Sequence, residues 1–340
     1  MSNLQIGLAL LGGFILAAVV AYNAWVTRKS EPRKADAQPD TEPLEDRQEP
    51  SLDGLDLAAA TQPAGTDRRN GLDALIDVVA PLALDAEVSG DAILAAMPGT
   101  RRVGSKPFAI EAQNTTTEEW ESPRPGARYK AVQAGVQLAN RHGALNEIEF
   151  SEFVMKTQAL ADAIGAAPEF PDMRDEVARA RELDQFASTH DAQLGFTLRA
   201  AQAAWSPGYV QQHAAKLGFV AGALPGRMVL PGAEPQSPML SLTFDTQAAL
   251  AEDPEQSALR EVTLLLDVAH VPREEQPYQR MREVAATLGT AMDGVLTDDQ
   301  GHPLTEATLD RIAADLESLY TSLDERDLHA GSALARRLFS

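Results

Sequence analysis

Six histidines, a pair of aspartates and a few charge clusters are the residues of this chain best equipped for acid–base or metal chemistry. His142, His190, His213, His270, His302 and His329 stand singly along the sequence. A catalytic base or a metal site needs a second group beside it, and a lone imidazole next to a turn or on a polar helix face is more simply a solvated side chain. Asp298 and Asp299, followed by Gly301, offer oxygens to a cation but lack the D-x-[DN]-x-[DN]-G order that surrounds calcium, and a polar hairpin tip accounts for them. Arg273, Glu274, Glu275 and Arg174, Asp175, Glu176 read as solvated faces. No G-x-x-x-x-G-K-[ST] loop, no G-x-G-x-x-G after a strand, no G-x-S-x-G elbow and no H-E-x-x-H helix occurs. The absence of cysteine excludes disulfides, thiolate metal sites and thiol nucleophiles. The expectation is a non-catalytic protein that needs no metal or cofactor.

The elements around these residues divide the chain. It has 340 residues, room for two modest domains with an appendage, and a formal net charge of −21. That charge disfavours binding to phosphate backbones, so nucleic acid is not an expected partner. Residues 6–26 (IGLALLGGFILAAVVAYNAWV) carry no charge, and at 1.5 Å per residue they span roughly 31 Å as a helix, the thickness of a bilayer's hydrocarbon core. Tyr22 and Trp25 stand at one end, where amphipathic rings prefer the interface. Arg28, Lys29, Arg33 and Lys34 follow the segment while residues 1–5 hold no Lys or Arg. The positive-inside rule then places residues 1–5 outside (periplasmic) and the remainder in the cytoplasm, with 6–26 as a single membrane span. A cleaved signal peptide would need its cations before the apolar stretch instead of after it. Residues 27–70 are acidic, carry Pro32, Pro39, Pro43, Pro50 and Pro63 and show no apolar period, the composition of a disordered linker. Leu52, Leu55 and Leu57 within it read either as a short recognition helix or, more simply, as isolated apolar residues.

Beyond residue 70 two halves, 71–190 and 191–330, repeat one order of elements, with a tail at 331–340. The first half is expected to hold strands over 72–80, 107–113 and 128–139, and helices over 89–97, 148–164 and 171–188. The second is expected to hold strands over 191–200, 227–230, 239–244 and 261–268, and helices over 206–217, 276–288 and 305–323. Ser206 is a candidate N-cap with Pro207 at the first helical position, and Thr305 caps the last helix. Leu194, Phe196 and Leu198 alternate, as do Leu240, Leu242 and Phe244, and Val262, Leu264, Leu266 and Val268, so each strand offers one apolar face. Ile312, Leu316, Leu319 and Leu323 recur at helical spacing, as do Met281, Val284 and Leu288. The fold class expected is α+β, an antiparallel sheet with helices on one face, present as two related halves.

The second half carries a resemblance. Residues 292–304, within MDGVLTDDQGHPLT, resemble the Gly-Val-Val-Leu-Asp-Asp-Gln turn of the ZipA family's C-terminal FtsZ-binding domain, and LSLTF at 240–244 and VTLLLDV at 262–268 resemble the strands preceding it. The plan of membrane helix, acidic proline-containing linker and C-terminal split β-α-β domain is also similar, whereas the first half looks like a diverged second copy that the family usually lacks. The resemblance implies a membrane tether of the division ring, without enzymatic activity. Its partners would be the C-terminal peptide of FtsZ, held on the open sheet face during septum assembly, and the bacterial inner membrane; self-association is left open. The positions matching the groove are Thr197, Thr243, Thr263 and Leu265, with Leu224 and Met228 near one edge. Threonines and Asp245 stand where the family has large apolar side chains. Two other classes compete: a scaffold of another envelope complex, whose sheet face would be too polar for a peptide, and a membrane-anchored enzyme without recognisable motifs, which would show a deep pocket with perturbed titratable groups.

Overall fold

The computed structural model describes residues 32–35, 71–233, 237–253 and 256–340. The expected periplasmic N-terminus at 1–5, the membrane span at 6–26 and most of the linker at 27–70 lie outside the described residues. Among those described, no helix is long and apolar enough to cross a membrane. The chain divides into two compact units. Among the described residues, the first comprises 71–192 with 317–340, and the second 32–35 with 193–316.

The first unit runs β1 (Asp77–Leu84), β2 (Val88–Ser89), α1 (Gly90–Ala96), β3 (Arg102–Val103), β4 (Lys106–Asn114), β5 (Trp120–Glu121), β6 (Arg128–Gln137), β7 (Ala139–Asn140), β8 (Gly143–Ala144), α2 (Glu147–Ile164), β9 (Ala166–Pro168) and α3 (Met173–His190). Its main sheet has the order β3-β4-β6-β1-β9, antiparallel throughout. Helix α2 starts where Asn146 accepts from the N–H groups of Ile148 and Glu149 and Glu149 reaches back, a reciprocal cap, and it stops at Gly165 with φ 69°. Its Phe153, fully buried, meets Phe108 of β4 edge-on at 6.0 Å, which identifies the helix-covered side of this sheet.

The second unit runs β10 (Gln193–Ala200), α4 (Pro207–Ala215), β11 (Val220–Ala221), β12 (Arg227–Pro231), β13 (Pro238–Thr243), α5 (Thr246–Ala249), β14 (Glu261–Asp267), α6 (Pro277–Met292), β15 (Gly294–Thr297) and the start of α7 (Glu306–Asp324), whose residues from Glu317 are counted with the first unit. Its sheet has the order β11-β12-β13-β14-β10-β15, again antiparallel. Ser206 caps α4 by accepting from the Tyr209 N–H at 3.2 Å, with Pro207 at the first helical position as its fixed φ favours. Helix α6 buries Tyr278, Met281, Val284, Leu288 and Met292 as one stripe. The Tyr278 hydroxyl donates to the Leu309 carbonyl at 2.8 Å, and burial pushes its phenol up to about 12. A raised folded value means the stability held in this protonated phenol is complete below the ordinary value near 10 and is lost as pH rises from about 10 to about 12. Tyr278→Phe is expected to cost about 1 kcal/mol near neutrality and to flatten the alkaline loss, both measurable by denaturant unfolding at pH 7 and 11.

The two sheets have the same order: β3-β4-β6-β1-β9 is matched member by member by β12-β13-β14-β10-β15. In both, the central helix (α2 or α6) ends on a left-handed residue, Gly165 or Asp293, and the chain passes directly into the edge strand β9 or β15. Thus each half carries its own sheet. Residues 331–340, expected as a tail, instead form α8 (Ala333–Leu338) and are counted with the first unit, with Leu338 and Phe339 fully buried. Residues 32–35, expected within the linker, hold an ordered contact on the second unit. The Arg33 backbone pairs with Ala204 and Ser206, and its guanidinium binds the Met292 carbonyl at 3.0 Å and the Asp293 carboxylate at 2.9 Å.

Candidate functional site

Alternation along the strands separates the two sides of the second sheet. Phe196, Leu198, Met228, Leu230, Leu240, Leu242, Val262, Leu264 and Leu266 are buried. Their neighbours point the other way, because side chains alternate along a strand. Cross-strand register then lays out the open side in rows. One row reads Thr297, Thr197, Thr263, Thr243, Arg227; the next reads Gly195, Leu265, Ser241, Val229. Over them lies a shallow open cavity of about 830 Å³ lined by Gly195, Thr197, Arg199, Arg227, Met239, Ser241, Glu261, Thr263 and Leu265 among others. Gly195 leaves the floor low. A Cβ there would rest 3.6 Å from Leu265 and 3.9 Å from Thr263, an ordinary contact distance.

The threonine row is partly committed to the sheet itself. The Thr297 hydroxyl donates to the Thr197 carbonyl at 3.2 Å and the Thr243 hydroxyl to the Thr263 carbonyl at 3.4 Å. Beside this row Leu265 is 39% exposed. Charged groups rim the strip. Arg199 faces Glu261 at 3.4 Å, its Nε buried with no hydrogen-bond partner among the described residues, and Arg227 donates to the Ser241 hydroxyl at 3.0 Å. The face is therefore an open strip in which Leu265 and the threonines lie among polar and charged side chains, Arg199, Arg227, Glu261, Asp267 and Asp299 included.

Of the six positions expected in a groove, the structure brings together Thr197, Thr263 and Leu265 in the cavity, with Thr243 in register on the same side. Met228 is not with them. It is 5% exposed and opposite Leu242, on the helix-covered side, because Arg227 and Val229 take the outward positions of β12. Leu224 is 62% exposed, lies between β11 and β12 and does not line the cavity. Gly195, Arg199 and Ser241 were missed. Alternation along β10 places Gly195 and Arg199 on the same side as Thr197, whereas Ser241 follows only from the pairing with Leu265.

Several histidines and the paired aspartates are engaged locally. Asp298 accepts from the His302 backbone N–H at 2.7 Å, a bond that holds its carboxyl below the usual range, and Gly301 turns the hairpin with φ 87°. His190 stacks on Phe186 at 4.1 Å, and His329 pairs with Asp324 at 2.7 Å. Among the described residues no group of His, Asp and Glu is placed to hold a metal ion.

The matching side of the first sheet is not open. Leu72 lies over Gly135, and the Asp77 and Gln137 side chains at one end of that side are buried beneath α8, bonded to Arg337.

Comparison with known proteins bears on the second unit. No curated protein sequence matches the chain. Among solved structures, it is similar to the berberine bridge enzyme of Eschscholzia californica at 10% identity over 76% of this chain, with a TM-score of 0.15, which carries no argument. The chain spans about half of that structure, 51% of its length. The family described as "ZipA, C-terminal FtsZ-binding domain" matches residues 243–315, a segment running from the end of β13 through β14, α6 and β15 into α7. Residues 243–315 are thus similar to that family, and the match lies within the second unit.

Proposed function

We propose that the chain is a membrane tether of the bacterial division ring that binds the C-terminal peptide of FtsZ on the open side of the second sheet. The observation that carries this reading is the coincidence of two features: the family match falls on β14, α6 and β15, and the sheet that holds β14 and β15 presents a strip uncovered among the described residues, while its counterpart in the first unit is closed. Residues 6–26 serve as the single inner-membrane anchor, with the bulk of the chain on the cytoplasmic side, as the charge asymmetry around that segment supports. The role is binding without catalysis. A peptide seated there buries its apolar side chains against Leu265 and the threonines and finds polar partners at the Arg199 and Arg227 margin.

Fluorescence anisotropy with a labelled FtsZ C-terminal peptide tests it. Saturable binding to the full chain, weakened about tenfold (about 1.4 kcal/mol) by Leu265→Glu, is the expected result. Binding that Leu265→Glu leaves unchanged would move the site elsewhere, and no binding up to millimolar peptide would end the FtsZ reading.

A further inference from the structure

Strand register makes the two units comparable residue by residue. β1 and β10 are both eight residues long and occupy the same place in their sheets. Val79 pairs with Gly135 as Gly195 pairs with Leu265, and Pro81 pairs with Gln133 as Thr197 pairs with Thr263. On the neighbouring strand, Ala109 stands where Ser241 stands and Glu111 where Thr243 stands. The open strip of the second unit thus has a positional counterpart on the first, centred on Gly135.

That counterpart is occupied by the chain itself. A Cβ added to Gly135 would collide with both δ-methyls of Leu72, so the leucine sits directly on the strand backbone, a close approach that only glycine permits. The peptide unit just before that side chain is bonded through both its N–H and its carbonyl. The Leu72 N–H donates to Glu111 at 3.0 Å, Glu111 is itself held by Gln133 at 2.8 Å, and the Gly71 carbonyl accepts from Arg337 at 3.0 Å. An aliphatic side chain over the sheet, with its backbone bonded to Glu111 of the sheet face and to Arg337 of α8, is the arrangement of a bound peptide.

We propose that the outer face of the first sheet is a latent second peptide-binding face, silenced by Leu72 as an intramolecular ligand; this rests on the reading of the second face as the FtsZ-peptide site. A covalently tethered ligand acts at an effective concentration on the order of millimolar, so free peptide at micromolar levels does not displace it. The chain as it stands therefore takes up one peptide, and releasing the arm exposes a second site.

Isothermal titration of the full chain in detergent micelles with the FtsZ C-terminal peptide tests this, comparing wild type with Gly135→Ala, whose added methyl evicts Leu72 without altering the arm. Leu72→Ser is the second variant, and thermal unfolding establishes that each is folded. One peptide on wild type and two on the folded variants is the expected result. One on wild type and still one on both variants overturns the latent site and leaves the proposed function standing. None on wild type with one on the variants keeps the latent site and overturns the assignment to the second unit. None on any of them overturns both.

Discussion

Arg337→Met is expected to destabilise the first unit by about 3–5 kcal/mol, the cost of leaving a buried charge without its partner. Asp77 is fully buried, and its carboxylate is met by Arg337 at 2.5 Å and by the Asp73 N–H at 2.8 Å. Burial raises its proton affinity above the ordinary value, with Arg337 acting in the opposite direction. Removing Arg337 lifts that affinity further, so the folded state then binds more protons than the unfolded chain above the ordinary carboxylate value. The deficit should therefore narrow as pH falls from 7 toward 4. Asp77→Asn combined with Arg337→Met keeps an acceptor for the Asp73 N–H and removes the stranded charge, so it should recover most of the loss. Urea unfolding of the four members of this cycle, at pH 7 and 5, measures both effects. A double variant no more stable than Arg337→Met would show that the ion pair is not what holds α8 to β1.

Trp205→Ala should cost the second unit about 3–5 kcal/mol, the range for emptying a large aromatic site. Trp205 is fully buried, and its indole N–H donates to the Met292 carbonyl at 2.8 Å, the same carbonyl that receives Arg33. Its backbone bonds Leu259 in both directions, at 2.9 and 2.8 Å, fixing the chain that enters β14. Gly294 lies against it, since a Cβ there would stand 3.2 Å from the indole ring. Trp205→Phe retains most of the volume and loses the hydrogen bond, so about 1–2 kcal/mol is expected from it. Chemical unfolding followed by circular dichroism separates the two. Equal losses would place the contribution in the hydrogen bond and not in packing.

Much of the architecture was legible because apolar period and capping chemistry agree. The alternation of Leu240, Leu242 and Phe244 and the Ser206-Pro207 start of α4 specify strand and helix locally, and tertiary packing confirms them. The departures have physical reasons. The first strand was expected over 72–80, yet β1 starts at Asp77: the Asp73 carboxylate accepts from the Leu75 N–H and turns the chain, and Leu72 leaves the strand to cover Gly135. An apolar run cannot announce which of its members serves a different surface. Helix α8 is too short for a six-residue pattern to reveal, and the burial of Leu338 and Phe339 together with the Asp77–Arg337 pair explains its place. Strand β15 is four residues at a sheet edge, hidden in a stretch that reads as a turn.

At the candidate site, the six positions came from the resemblance to the family's strands; Thr197, Thr263 and Leu265 line the cavity, whereas Met228 faces the helix-covered side, a facing that a five-residue strand between loops gives too little pattern to fix. Its pairing with Leu242 decides the matter, and pairing is a long-range property. The same holds for the closed face of the first unit, which depends on contacts between Leu72 and Gly135 and between Asp77 and Arg337, far apart in sequence.

Hydrogen exchange read by mass spectrometry, on the full chain with and without the FtsZ C-terminal peptide, tests the location of binding most directly. A peptide seated on the open strip should slow exchange in β10 and β14 and leave β4 and β6 unchanged. Protection confined to β4 and β6, or none anywhere at saturating peptide, would contradict the assignment of the binding face to the second unit.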